Sequence, residues 1–223
     1  MKINCSLIID FDSTFVKLEA LEDLAEIALS GNIQKDKIVE EIKKITAMGM
    51  DGKITFPQSL GRRLKLFSSR KEHISQLIRL LKENISDSVI PNKEFFQINN
   101  KKIYIISGGF EDFIYPIVRD FGITKENILA NKFVFDDEGK IIGIDESRLL
   151  AQENGKVKAV RSLNLPKPIC VVGDGWTDYE IKQKGSADLF CAYCENVERK
   201  AVVKTADKIA HNFDDVISWV ISI

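Results

Sequence analysis

Neither sign of charge dominates this 223-residue chain: 32 lysines and arginines stand against 33 aspartates and glutamates, a net charge of −1. Without a basic excess, general binding to nucleic acid or another polyanion is not expected, although a local basic patch is compatible with these numbers. No apolar run approaches the roughly 20 residues a membrane helix needs, and no charged leader precedes the first apolar segment. A cytoplasmic location and no membrane partner are therefore expected. Histidine is scarce, with two in the chain, and cysteine numbers four. Cys5 and Cys170 fall in predicted core strands, where a thiol behaves as a small hydrophobe. Cys191 and Cys194 form a lone C-x-x-C, but zinc needs two more ligands and neither His73 nor His211 is near in sequence. A redox role for the pair lacks the usual βαβ placement. No disulfide is expected. Internal repeats, low-complexity tracts and linkers are also missing. Apolar and charged fractions of 44% and 29% are those of an ordinary globular protein, and the length allows a core domain with a smaller lobe.

What the chain does have is short apolar runs that stop at polar clusters. Leu7-Ile8-Ile9 ends at Asp10-Phe11-Asp12-Ser13-Thr14, Ile103-Tyr104-Ile105-Ile106 at Ser107-Gly108-Gly109, and Ile169-Cys170-Val171-Val172 at Gly173-Asp174-Gly175-Trp176-Thr177-Asp178. Such runs read as buried parallel strands. Ligands of open α/β sheets bind outside the carboxyl ends of the strands, so three such ends describe one site. Paired acids there are tolerable only if hydrogen-bonded, ion-paired or bound to a cation.

Between the first strand and the second the periodicity is helical. Helices are predicted over about Phe15–Ser30, residues 35–48, Phe56–Leu66 and Lys71–Glu83, with a breaker at Ile90-Pro91-Asn92. The fold class expected is α/β, a Rossmann-like parallel-sheet core over residues 1–14 and 92–223, with a helical insertion over 15–91. Downstream, helix is predicted over Glu111–Phe121, shortened or kinked by Pro116, over 156–163, over 178–184 and over Asp214–Ile221. A hairpin is predicted around Asp136–Gly139 and a strand over Leu189–Tyr193.

The strand ends contain the parts needed to hydrolyse a phosphate monoester. A carboxylate can attack phosphorus to give an aspartyl-phosphate that water then cleaves. Mg²⁺ takes oxygen ligands. Ser107 and amides near Gly108 and Gly109, placed at a helix N-terminus, can hold phosphate oxygens, and a lysine can supply positive charge.

Asp10-Phe11-Asp12-Ser13-Thr14 resembles the first motif of the haloacid dehalogenase superfamily, Ser107-Gly108-Gly109 its second, Lys156 within Glu153-Asn154-Gly155-Lys156 its third, and Gly173-Asp174-Gly175…Asp178 its fourth. The four occur in order across almost the whole chain. The resemblance implies a helical cap after strand one, Asp10 as nucleophile and Asp12 as general acid/base. It also implies Mg²⁺ held by Asp10, the Asp12 carbonyl and Asp174, with Asp178 close to the metal or to Lys156. Lys158 rivals Lys156 for the lysine role. Within the superfamily the chain is most similar to the phosphoserine phosphatase family. That likeness implies that Glu19 binds the substrate amine, while Met50, Phe56 and Arg63 shield the site and pair with the substrate carboxylate. An amino-acid head group needs such an anion and an arginine fork. Thr177, a further candidate at the substrate, and Trp176 depart from the asparagine and small residue common in that family, so the substrate itself stays open. The expected substrate is L-phosphoserine, a small phosphorylated metabolite. A methionine-salvage enolate phosphatase is the rival within the class, and a phospho-acceptor signalling module the rival outside it. Oligomeric state is not legible.

Overall fold

The computed structural model describes all 223 residues. Its elements in chain order are β1 (Ser6–Ile9), α1 (Ala20–Ala28), α2 (Lys35–Met50), α3 (Phe56–Leu64), α4 (Lys71–Glu83), α5 (Lys93–Asn99), β2 (Ile103–Phe110), α6 (Glu111–Val118), β3 (Ile128–Asn131), β4 (Phe133–Phe135), β5 (Ile141–Ile144), α7 (Gly155–Ser162), β6 (Ile169–Gly173), α8 (Trp176–Gln183), β7 (Leu189–Tyr193), α9 (Lys200–Val203), β8 (Lys208–Ala210) and α10 (Phe213–Ile221).

Six strands form one sheet in the order β3-β2-β1-β6-β7-β8, parallel throughout. β1 lies inside it, paired with β2 on one edge and β6 on the other, with Leu7 opposite both Ile103 and Cys170. The chain thus builds outward on one side and then on the other, which opens a crevice at the carboxyl ends beside β1. Alternate residues of the strands feed opposite faces. Leu7, Ile9, Ile105 and Val172 join a large cluster with Phe15, Phe96, Phe113 and Phe213, while Ile8, Ile106 and Val171 join a smaller one with Val157, Val160 and Ile181. Both faces being covered explains why the strands read as unbroken apolar runs.

Helices α1 to α4 fall between β1 and β2, and Leu24, Leu60, Ile74, Leu77 and Leu81 pack into the larger cluster. The two crossings of this insertion pair with each other: Val16 bridges Ile85, Lys17 N donates to Asn84 O at 2.8 Å and Ser86 N to Phe15 O at 3.0 Å. Asn196, beyond β7, donates to Ser13 O at 3.1 Å and to Ser86 Oγ at 2.7 Å, holding both crossings to the sheet. The β4–β5 hairpin makes a second tie, with Lys71 N on Gly139 O at 3.0 Å and Ile141 N on Ser69 O at 2.9 Å.

Several boundaries depart from the sequence expectation. The helix expected from Phe15 starts at Ala20, because Phe11–Phe15 form an irregular turn in which Ser13 sits at φ +52°. Glu19 therefore precedes the helix as its cap residue rather than riding on its face. The helix after Gly109 starts at Glu111 as expected but is shorter at its far end, giving way to a tighter turn over Arg119–Phe121 three residues past Pro116. α5, β3, α9 and β8 carry too little periodicity to be read. The four cysteines are free thiols, and no helix is long and apolar enough to cross a membrane.

Asp23, in the first turn of α1, is pushed up to about 6 by burial, with Glu26 and Glu22 adding to the effect. Its folded value lies above the ordinary 3.8, so the folded chain keeps this proton longer than the unfolded one. Its contribution is present below pH about 4 and lost as pH rises through about 6. Asp23→Asn removes that loss: in urea titrations we expect equal stability near pH 4 and a gain of about 1 kcal/mol at pH 7.5, discounted for partial exposure.

Candidate active site

Asp10 is the first residue past β1, its amide still bound to Val172 O at 3.0 Å. Both of its carboxylate oxygens are occupied: Oδ1 accepts from Phe11 N at 2.7 Å and Oδ2 meets Lys156 Nζ at 2.8 Å. Lys156 also reaches Asp178 Oδ1 at 2.7 Å. It gets there because α7 starts hard against the preceding turn. A Cβ on Gly155 would stand 2.5 Å from Leu149 O, so only glycine lets the helix approach this closely. Lys158, two residues on, points away to Gln152 at 2.9 Å. Burial works against the Lys156 charge, but Asp10 and Asp178 outweigh it and hold the ammonium above the ordinary lysine range.

Asp174 follows β6, and Asp178 lies in the first turn of α8, where its Oδ2 accepts from Gly175 N at 3.2 Å. Carboxylate oxygens of Asp10, Asp174 and Asp178 lie within 4.8 Å of one another, and all three residues are buried. Burial and the neighbouring acids push Asp178 well above the usual carboxylate range, and burial raises Asp174 as well. Asp174 Oδ1 is buried without a hydrogen-bond partner. Asp12 does not join this cluster with its side chain, which accepts from Ala20 N at 2.9 Å; only its main-chain carbonyl is left for the metal role expected of it. Burial, reinforced by Asp10, lifts the Asp12 carboxyl to about 7, the range in which a carboxyl can both give and take a proton near neutrality.

Asp10, Asp12, Glu19, Met50, Phe56, Arg63, Ser107, Gly108, Lys156 and Thr177 all border one cavity of about 30 Å³. Its walls and immediate supports carry five carboxylates (Asp10, Asp12, Glu19, Asp174, Asp178) against three cations (Arg63, Lys156, Arg199). Oxygen-only donors and a buried unpartnered carboxylate oxygen fit a hard divalent ion.

The phosphate loop differs from expectation in one respect. β2 continues through Ser107-Gly108-Gly109 to Phe110, so α6 begins beyond the loop. Ser107 Oγ accepts from Gly109 N at 2.9 Å, and Asn131, at the end of β3, donates to Gly108 O at 2.8 Å. On the insertion side, Arg63 is buried, with Nε on Ser59 O at 3.4 Å and Nη1 on Thr46 Oγ1 at 3.3 Å. Burial lowers its pKa, against Glu19 and Asp12, which raise it. Glu19 Oε1 accepts from Ser13 Oγ at 2.8 Å and from Arg199 at 3.4 Å.

Arg199 and Asn131 escaped the sequence analysis. The usable signal was position: each follows or ends a strand of the parallel sheet, at the edge where the site forms. Neither belongs to a recognisable motif.

Space for a water or two is too little for a phosphorylated amino acid, and the α2–α3 connection is the chain that lies over it. Phe56 lies against Gly108, Gly52 against the Trp176 indole and Met50 Sδ against Gly175. A second cavity of about 270 Å³ lies outside, sharing Phe56, Gly108, Lys156 and Thr177 with the inner one. A Cβ on Gly108 would stand 2.5 Å from the Phe56 ring. Overpacking of this kind costs about 1–3 kcal/mol. In Gly108→Ala we expect amide hydrogen exchange across Ile54–Phe56 to quicken roughly tenfold, and to return to the original rate when Phe56→Ala is added.

No family model matches this chain. Among curated proteins, the chloroplastic phosphoserine phosphatase of Arabidopsis thaliana is 32% identical over 212 residues, covering 94% of this chain and 69% of that protein. A phosphoserine phosphohydrolase-like protein from Francisella tularensis superposes with a TM-score of 0.86 at 30% identity, covering 96% of this chain and 99% of that one. A phosphoserine phosphatase solved as a phospho-aspartyl intermediate analogue has the same fold, with a TM-score of 0.77 at 24% identity over 96% of this chain and 98% of that one.

Proposed function

Since the chain belongs to the phosphoserine phosphatase family of haloacid dehalogenase-type hydrolases, we propose that it hydrolyses L-phosphoserine to serine and phosphate. The observation that carries the assignment is the pairing of Glu19 and Arg63 around the cavity that Asp10 and Asp12 also border. An anion and a buried guanidinium facing one small space suit the ammonium and carboxylate of an amino acid, beside an acid pair suited to phosphoryl transfer. An enolate phosphate, the substrate of the rival class, has no ammonium to make use of Glu19.

Asp10 is the nucleophile. With both oxygens restrained by Phe11 N and Lys156, its carboxylate cannot swing, which favours a near-attack position. As the Asp10 oxygen bonds to phosphorus, the bond to the serine oxygen breaks and Asp12 gives that oxygen its proton. Water then attacks the aspartyl-phosphate, Asp12 takes a proton from it, and phosphate leaves. Ser107, the Gly108 amide and Lys156 hold the phosphoryl oxygens, and Thr177 borders the same space. Asp10, Asp174, Asp178 and the Asp12 carbonyl would hold Mg²⁺, which would offset the charge of the phosphate against the acids. Helices α1 to α4 serve as the cap, with Met50 and Phe56 excluding bulk water. Four free thiols suit a cytoplasmic enzyme.

Released phosphate is the measurement. With Mg²⁺ we expect turnover of L-phosphoserine well above that of its desamino analogue, 3-(phosphonooxy)propanoate, and loss of turnover in EDTA. Asp10→Asn should lower kcat by a factor on the order of 10⁴ or more while remaining folded. Glu19→Gln should raise the phosphoserine KM roughly tenfold to a hundredfold, the worth of a hydrogen bond to a charged group. Equal turnover of the two esters by the unmodified enzyme overturns the substrate assignment, and an active Asp10→Asn overturns the chemistry.

A further inference from the structure

Resting on the phosphoserine assignment, we propose that Arg199 is a positioning residue that aims Glu19 at the substrate ammonium and uses Asp174 as its anchor. Its guanidinium joins two parts of the site that no other side chain connects. Nε donates to Asp174 Oδ2 at 2.8 Å, and Nη2 reaches Glu19 Oε1 at 3.4 Å. The short contact is the anchor and the long one the adjustable arm.

Each carboxylate is divided in the same way. Asp174 has Oδ2 on Arg199 and Oδ1 buried without a partner. Glu19 has Oε1 shared by Ser13 Oγ and Arg199, which leaves Oε2 free of hydrogen bonds within the chain. A carboxylate held by one oxygen has a fixed plane, so the other oxygen points in a defined direction. Ser13 alone does not fix Glu19, because a hydroxyl is a single rotatable donor. A planar fork bound at its other tine adds the missing restraint.

The chain makes Arg199 rigid enough for this. It is the cap residue of α9 and half-buried between the two acids. The segment before it is fastened on both sides: Glu195 accepts from Ser88 N at 3.1 Å, and Asn196 donates to Ser13 O and Ser86 Oγ. Ser13, whose hydroxyl shares Glu19 with Arg199, is thus held by the same segment. A cation beside an ammonium pocket is sustainable here because acids outnumber cations around the cavity.

The test compares L-phosphoserine with its desamino analogue, which keeps the ester and the carboxylate. We expect Arg199→Ala to raise the phosphoserine KM roughly tenfold, with kcat less affected and the analogue's KM changed by less than about twofold. The affinity for L-serine, titrated calorimetrically, should fall by the same factor while that for inorganic phosphate does not. Arg199→Lys, a safeguard should the alanine variant not fold, keeps the charge but cannot span both acids, so it should also lose discrimination. In a Glu19→Gln background, Arg199→Ala should have little further effect on the ratio. Equal loss on both esters, unchanged discrimination in either Arg199 variant, or full additivity with Glu19→Gln overturns the role of Arg199. An unmodified enzyme with no preference between the esters overturns the substrate assignment and Arg199's role with it.

Discussion

Like charges held close together at the end of a buried sheet are the condition to which the rest of this molecule answers. Asp10, Asp174 and Asp178 bring carboxylates within 4.8 Å of one another and out of water. Left alone, such a group would protonate or push the strands apart. Lys156 meets the first and third, and Arg199 meets the second. The compensation is incomplete in a specific way: one oxygen of Asp174 has nothing to bind. That unpartnered oxygen is what makes a divalent cation welcome.

The same condition shapes the backbone around it. Ser13 accepts a left-handed conformation so that the chain can turn sharply past Asp12 and bring Glu19 back beside Ser13. Gly155 lets α7 crowd against its preceding turn, which puts Lys156 between two acids rather than beside one. Asn131 holds the Gly108 carbonyl so that the loop lies under Phe56. These residues are arranged by tertiary packing, and their roles follow from where the chain places them.

That distinction explains what was legible in advance. β1, β2 and β6 were readable because parallel strands covered on both faces leave unbroken apolar runs, and their ends carried Asp10, Ser107 and Asp174 in plain view. α4 was readable to the residue, since Lys71–Glu83 has a clean amphipathic stripe. β8, three residues on the sheet edge, has no such signature, and neither does α9 at four residues. At the site, residues within dense motifs were found, whereas Arg199 and Asn131 stand alone in sequence and gain meaning only beside Asp174 and Gly108. The start of α1 was misplaced because local apolar spacing does not reveal that the chain spends Phe11–Phe15 on a turn.

The hairpin formed by β4 and β5 has a mechanical consequence. By gripping Ser69 and Lys71 it ties the front of α4 to the sheet domain, while the paired crossings at Val16 and Ile85 tie the rear. Any opening that leaves both ties intact has to come from the chain between them, α1 to α3, swinging as a trapdoor whose free edge runs from Met50 to Phe56. A trapdoor of that span bares a narrow throat rather than a broad cleft, so the size of what can pass is limited by the lid's own length before any chemical recognition begins.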